Sequence, residues 1–304
     1  MMRLTFVLAL AITVAVGSPP LYGQVPDTVV ATPPSCTTAA DWNIPHPPVQ
    51  VYGNTYYVGT HCLSAILVAS RDGHVLIDAG LPESAPLIRA SIEALGFRIA
   101  DVKLILNSHA HFDHAGGIAA VQHASGAAVA ASPASARVLE AGASGPDDPQ
   151  YGELPTFPAT RPVRVLAEGE VVRVGPLALT AHWTPGHTPG GTTWSWVSCE
   201  GEHCLDMVYA DSQTPISAEG FFFTRSSTYP EALRDFERGH ALLERLPCDL
   251  LLTPHPGASA LWERVAARAS GGAPPLVDSG GCRAYAATAR EQLTRRIAAE
   301  STTR

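Results

Sequence analysis

The sequence predicts an α/β fold, a four-layer αββα sandwich of two similar halves with a site where the strand ends meet. Three observations carry this. Short apolar runs bounded by Gly, Asp or Asn recur in both halves, the pattern of strands between turns. Their apolar–polar alternation is imperfect, which fits strands covered on both faces. Each half also contains helix-patterned segments, so each sheet carries its helices on the outside.

The first half opens with "NTYYVG", "SAILVAS" and "HVLIDAG". A helix is expected from Ser84, with Leu87, Ile88, Ser91, Ile92 and Leu95 spaced three and four apart, stopping at Gly96. The strand "DVKLILNS" then runs into "NSHAHFDHAG", which turns into a helix at Gly116. Another helix begins in "SPASARVLEAG", where Ser132 is placed to cap and Pro133 takes the first helical position. Residues 143–162 have no periodicity and many prolines; loops of that length are usually functional or disordered. The second half reads as strands through "VRVLAEGEVVRVGPLALTAHWTPGH", then "TTWSWVSC" and "DMVYADS". A helix from about Pro230 to Leu246 follows, then the strand "CDLLLTPH" and two C-terminal helical stretches.

Of 304 residues, 46% are hydrophobic and 16% charged, enough to bury a large core. The run Leu4–Val16 behind Arg3 is apolar or small. It is short for a membrane span and reads as a secretory signal, expected over residues 1–23. A Pro-, Ser- and Thr-rich leader over 24–41 and one domain over 42–304 complete the expected organisation. The mature protein is then exported, with no membrane association, and monomeric. A net charge of −8 weighs against a nucleic-acid partner.

Cysteines stand at 36, 62, 199, 204, 248 and 282, and six allow fifteen complete pairings. An even count fits an oxidising compartment. Cys199 and Cys204 close a small loop most simply; Cys248 with Cys282 and Cys36 with Cys62 are the other expected pairs. No C-x-x-C occurs for a cysteine zinc site.

The chemistry concentrates in "HAHFDH". His109 and His111 are two apart, so extended backbone turns both rings to one side and toward one ion. Asp113 and His114 follow where the loop becomes helix and face a second point nearby. A single ion does not comfortably use all four, whereas two-metal hydrolytic sites hold ions about 3.5–4 Å apart. His187 in "TPGHTPGG" and His255 in "LLTPHPGAS" lie just past strands and supply further candidates. The other histidines have no such setting.

"HAHFDH", "TPGHTPG", "YADS" and "TPHPGAS" resemble the metallo-β-lactamase superfamily, and within it the third subclass of class B β-lactamases, in which no cysteine binds zinc. The resemblance covers nearly the whole chain from Trp42 to Cys282. It implies the αββα metallo-β-lactamase fold and two Zn²⁺ ions per chain. His109, His111 and His187 would hold the first ion; Asp113, His114 and His255 the second. It also implies a periplasmic enzyme that opens penicillins, cephalosporins and carbapenems. Cys62 stands close to, but not clearly at, the position where relatives carry a cysteine.

Where other subclasses place a cysteine ligand, "VYADSQT" offers Ser212. Asp211 is expected behind the site as a buried carboxylate; the alternative, a lactonase or thioesterase, needs Asp211 to bridge the ions. Lys103 is the only lysine and sits inside a strand, so a β-lactam carboxylate must meet Ser212 and Thr214. Gln150 resembles a residue lining the pocket of relatives. There is no Ser-x-x-Lys and no G-x-S-x-G. The expected chemistry is attack by a zinc-bound hydroxide oriented by Asp113, the catalytic residue, with Asp78 supporting the site from behind.

Overall fold

Side chains along a strand point alternately to opposite faces, and here both faces are apolar. In the computed structural model, which describes residues 35–269 and 276–302, twelve strands form two sheets. The first sheet comprises β1 (Val49–Tyr52), β2 (Thr55–Tyr57), β3 (Ile66–Val68), β4 (His74–Ile77), β5 (Val102–Leu106), β6 (Ala128–Ala131) and β7 (Val163–Val165), in that order. Pairing is antiparallel from β1 to β4 and parallel from β4 to β7. The second sheet, ordered β12-β11-β10-β9-β8, comprises β8 (Val171–Val174), β9 (Leu177–Trp183), β10 (Thr192–Glu200), β11 (His203–Tyr209) and β12 (Leu250–Leu252). Only its β11–β12 pair is parallel.

Residues at one parity meet between the sheets: Ile66, Val68, Val75, Ile77, Leu104 and Leu106 from the first against Leu179, Trp194, Met207 and Tyr209 from the second. Residues at the other parity, Leu67, Leu76, Ile105 and Val129, meet helices α1 (Ala85–Ala94), α3 (Ile118–Ser125) and α4 (Pro133–Ala141). On the second sheet Val208 and Leu251 pack against α5 (Ala232–Leu243) and the long C-terminal helix α7 (Gly281–Thr302). The short α2 (Phe112–Ala115) lies in the histidine loop, and α6 (Leu261–Ala269) follows β12. Fully burying such a Leu, Ile or Val contributes about 1.5–3 kcal/mol. Helices, sheet, sheet and helices are thus four layers.

Several ends follow local chemistry. Ser132 accepts from Ser135 N ahead of α4, which closes at left-handed Gly142. The helix expected from Ser84 is preceded by a single 3₁₀ turn, Pro82–Ser84, and the chain leaves it at Gly96, φ +83°. Residues 143–162 contain no helix or strand. Two strands, β1 and β6, were not expected from the sequence; β6 is alanine-rich and owes its conformation to parallel neighbours on both sides. Disulfides join Cys36 to Cys62, Cys199 to Cys204 and Cys248 to Cys282. The expected signal segment, 1–23, and the leader before Ser35 lie outside the described residues.

Candidate metal centre

The histidine loop leaves the C-terminal end of β5 and is pinned before it reaches its first histidine. Asp78, just past β4, accepts from Ser108 N at 2.7 Å, Ser108 Oγ at 2.6 Å, Asn107 Nδ2 at 3.1 Å and Tyr209 Oη at 2.8 Å. Its backbone sits at φ +60°, a conformation that Asp tolerates better than most residues. Asn107 Nδ2 also donates to His109 O at 2.8 Å, and Trp194 Nε1 to Asn107 O at 3.1 Å. Asp78 therefore supports the site through Asn107 and Ser108 at the foot of the loop and not by receiving an imidazole N–H.

His109, His111 and His187 each offer a ligand atom within 4.8 Å of the others. In each ring the second nitrogen is engaged. His109 Nδ1 lies 2.7 Å from Asp211 Oδ1. Burial holds the His109 imidazole well below its usual range and pushes the Asp211 carboxyl well above its own. The contact occupies Nδ1 and leaves Nε2 as the nitrogen that can take a ligand. His111 Nε2 lies 2.9 Å from Asp148 Oδ2. Burial raises Asp148, but His111 and the Gln150 N–H prevail and hold it below the ordinary carboxylate range. Asp148 therefore accepts from Nε2, and Nδ1 is the His111 nitrogen left for a ligand. His187 Nδ1 donates to Thr214 O at 2.8 Å, leaving Nε2, and burial lowers the ring to about 3. Such outer contacts fix tautomer and ring orientation at metal sites.

The turn carrying His187 packs closely on α5 at Gly186. A Cβ at Gly186, φ +139°, would stand 2.6 Å from the Phe236 ring of α5.

A second group within 4.8 Å contains His109, Asp113 and His114. Asp113 Oδ2 lies 3.1 Å from His114 Nε2 and 3.3 Å from His255 Nε2. His255 thus reaches this group through Asp113, with its ring centroid 4.9 Å from that of His114. Burial raises the Asp113 carboxyl, but the facing imidazoles outweigh it and hold it well below its ordinary value. Burial likewise opposes a charged His114, and Asp113 prevails, raising it. His255 is 37% exposed at the side chain, beside Trp42, whose ring centroid is 5.6 Å away.

The donor set tests the fit of a metal. Imidazole nitrogens from His109, His111, His187 and His114 converging, all buried, with the Asp113 carboxylate are a donor set that Zn²⁺ takes. No thiolate competes, because every cysteine among the described residues is in a disulfide. Asp211 belongs to neither donor group; its carboxylate stands behind His109, and Ser212 faces forward.

All six singled-out ligand residues line one cavity of about 630 Å³, together with Gln150, Ser212 and Thr214. Lys103 is remote from it, donating from β5 to Ala100 O at 2.7 Å. Sequence reasoning missed Asp148 and the Thr214 carbonyl as orienting groups. Asp148 lies in the aperiodic 143–162 loop, where only the adjacent pair of aspartates before Gln150 marks it.

The family model of the metallo-β-lactamase superfamily matches residues 63–277. Among solved structures, the Rm3 metallo-β-lactamase is 55% identical, covers 88% of this chain and 100% of its own, and superposes with a TM-score of 0.86. MEM-A1, a subclass B3 metallo-β-lactamase from a soil metagenome library, is 49% identical over 87% of this chain and 100% of its own, with a TM-score of 0.85. A hydroxyacylglutathione hydrolase of Anaeromyxobacter dehalogenans is 35% identical over 130 residues, 43% of this chain; the match spans 40% of that protein's length. On this fold, this donor set and these matches, the chain belongs to the metallo-β-lactamase superfamily.

Proposed function

We propose that the chain is a subclass B3 metallo-β-lactamase, a zinc hydrolase that opens the amide bond of β-lactam rings. The observation that carries this reading is the pair of donor groups sharing His109, buried in one cavity and free of cysteine, in a chain 55% identical to a metallo-β-lactamase over that protein's full length. His109, His111 and His187 would hold one Zn²⁺, and Asp113, His114 and His255 the other. When bound, the ions polarise a carbonyl and bring the pKa of water toward about 7.

The chain's own residues do the rest. Asp113, held ionised, orients the attacking water toward the ring carbonyl. Ser212 and Thr214 present hydroxyls, and Gln150 an amide, to the substrate carboxylate and its neighbouring groups, in a cavity that Lys103 does not line. Water is the nucleophile, so no acyl-enzyme forms and the product is the ring-opened amino acid.

The thioesterase reading prompted by the hydroxyacylglutathione hydrolase match needs a carboxylate between the ions from Asp211. Its engagement with His109 Nδ1 argues against that role. Export through residues 1–23 to the periplasm, as a monomer, is part of the proposal. Supporting it are three disulfides, which belong to oxidising compartments. No helix among the described residues is long and apolar enough to cross a membrane.

The test is ring opening of a carbapenem, followed by absorbance with purified zinc-loaded protein, with and without chelator. Chelator-sensitive turnover supports the reading. A folded, di-zinc protein without turnover overturns it and directs attention to thioester and lactone substrates.

A further inference from the structure

Two loops supply the outer contacts of the first metal group: residues 143–162 through Asp148, and the segment between β11 and α5 through the Thr214 carbonyl. The same two loops carry Gln150, Ser212, Thr214 and Ile216 to the cavity. Neither loop contains a helix or strand of its own, so what holds them must come from elsewhere.

They are first held to each other. Ala218 N donates to Pro149 O at 2.8 Å, and Glu219 N to Glu153 Oε1 at 2.9 Å. The joined pair is then held by the last turns of α7. Phe223 N and Thr224 N donate to Glu300 Oε1 and Oε2 at 3.0 and 2.9 Å. Arg296 donates through Nε to Glu300 Oε1 at 2.6 Å, and through Nη2 to Ser217 Oγ at 2.6 Å and Phe221 O at 2.8 Å. An i,i+4 Arg–Glu pair on a helix is ordinarily a solvated surface feature of small energetic weight. Here Glu300 is 3% exposed and each of its oxygens accepts a backbone N–H. The guanidinium spans the carboxylate, a hydroxyl and a carbonyl, a fork that Lys does not reproduce. Below the pair, Phe223 and Leu293 are buried in a cluster with Phe236 of α5.

We propose that Glu300 and Arg296 are positioning residues: a clamp through which the C-terminal helix sets the loops that orient His111 and His187 and that line the substrate cavity. Its kinetic consequence rests on the β-lactamase reading; its structural and metal-binding consequences do not. Breaking the clamp lets both loops open together. The first donor group then loses orientation, while Asp113, His114 and His255, whose contacts do not pass through these loops, keep theirs.

The test compares the full zinc-loaded protein with Glu300→Gln, and with Arg296→Lys, which serves alone should the first fail to fold. Three measurements are made: amide hydrogen exchange, Co²⁺ titration against a competing chelator, and steady-state kinetics on a carbapenem. Expected are faster exchange at Ala218, Glu219, Phe223 and Thr224, and first-site affinity lower by about three- to tenfold, smaller than the loss when an orienting group itself is removed. The second site should be unchanged, and KM raised about fivefold with kcat within about twofold, the mark of lost uniform binding. Unchanged exchange at those amides, or faster exchange with unaltered first-site affinity and KM, overturns the clamp. So does equal weakening of both metal sites, which a general loss of stability produces. Should the unmodified protein fail to open the β-lactam, the function is refuted, and the exchange and Co²⁺ measurements still decide the clamp.

Discussion

Asp148 Oδ2 lies 2.9 Å from His111 Nε2, so a residue of the proline-rich loop orients a histidine 37 positions earlier. Asp148→Asn keeps the shape and removes the ionised acceptor. Loss of such an orienting carboxylate costs about 10–100-fold in metal affinity. Competition with a chelator should show that loss at the first site, with the far-ultraviolet circular dichroism unchanged. Wild-type affinity in this variant would remove Asp148 from the site.

Asp113→Ala should lower carbapenem turnover by about 10²–10⁴-fold, the usual worth of a positioned acid–base group, while thermal unfolding stays cooperative. The assay must be run with both metal positions loaded, as checked by metal analysis. Wild-type turnover under that condition refutes the assigned role.

Gly191 is needed for space. A Cβ there would stand 2.3 Å from Asp211 Oδ2 and 2.6 Å from Thr184 O. Gly191→Ala should destabilise the fold by about 1–3 kcal/mol, as overpacked cores do, and should displace Asp211 from His109. Denaturant unfolding measures the first effect; chelator competition reads the second as weaker first-site binding. Stability equal to the parent would show that the strand pair yields at no cost.

Glu300 gives an acid dependence with a definite sign. Burial raises its pKa, but the Phe223 and Thr224 N–H groups and Arg296 prevail, and the folded value falls below 4.5. A depressed folded pKa stabilises the fold above the unfolded value of 4.5, and that contribution is lost as pH falls through the folded one. In metal-free protein, the unfolding free-energy difference between wild type and Glu300→Gln should therefore shrink as pH is lowered from about 5.5 toward 3. A difference independent of pH excludes the ionised carboxylate as its source.

The layered fold was legible because strands covered on both faces leave continuous apolar runs, as in "HVLIDAG", and because one helix caps at Ser132 and another stops at Gly96. The histidine loop was legible because its donors are close in sequence. His187 and His255 stood out through the Pro and Gly that turn the chain after strands. Asp148, Thr214 O and Glu300 were not legible, since each acts through a partner fixed only by tertiary packing. Arg296 and Glu300 are four apart on a helix, a spacing that by itself gives only a solvated ion pair; the burial of Glu300 against Phe223 N and Thr224 N sets them apart. Strand β6 was hidden for a similar reason, because alanine carries little strand preference of its own.

The donor residues straddle the line between the two sheets. His109, His111, Asp113 and His114 follow β5 of the first, whereas His187 sits between β9 and β10 and His255 follows β12 of the second. Ions held by both halves would act as rivets across a seam, and any ligand bound only by the folded state adds stability in proportion to the logarithm of its free concentration. The lifetime of this protein would then depend on how much free zinc its surroundings hold.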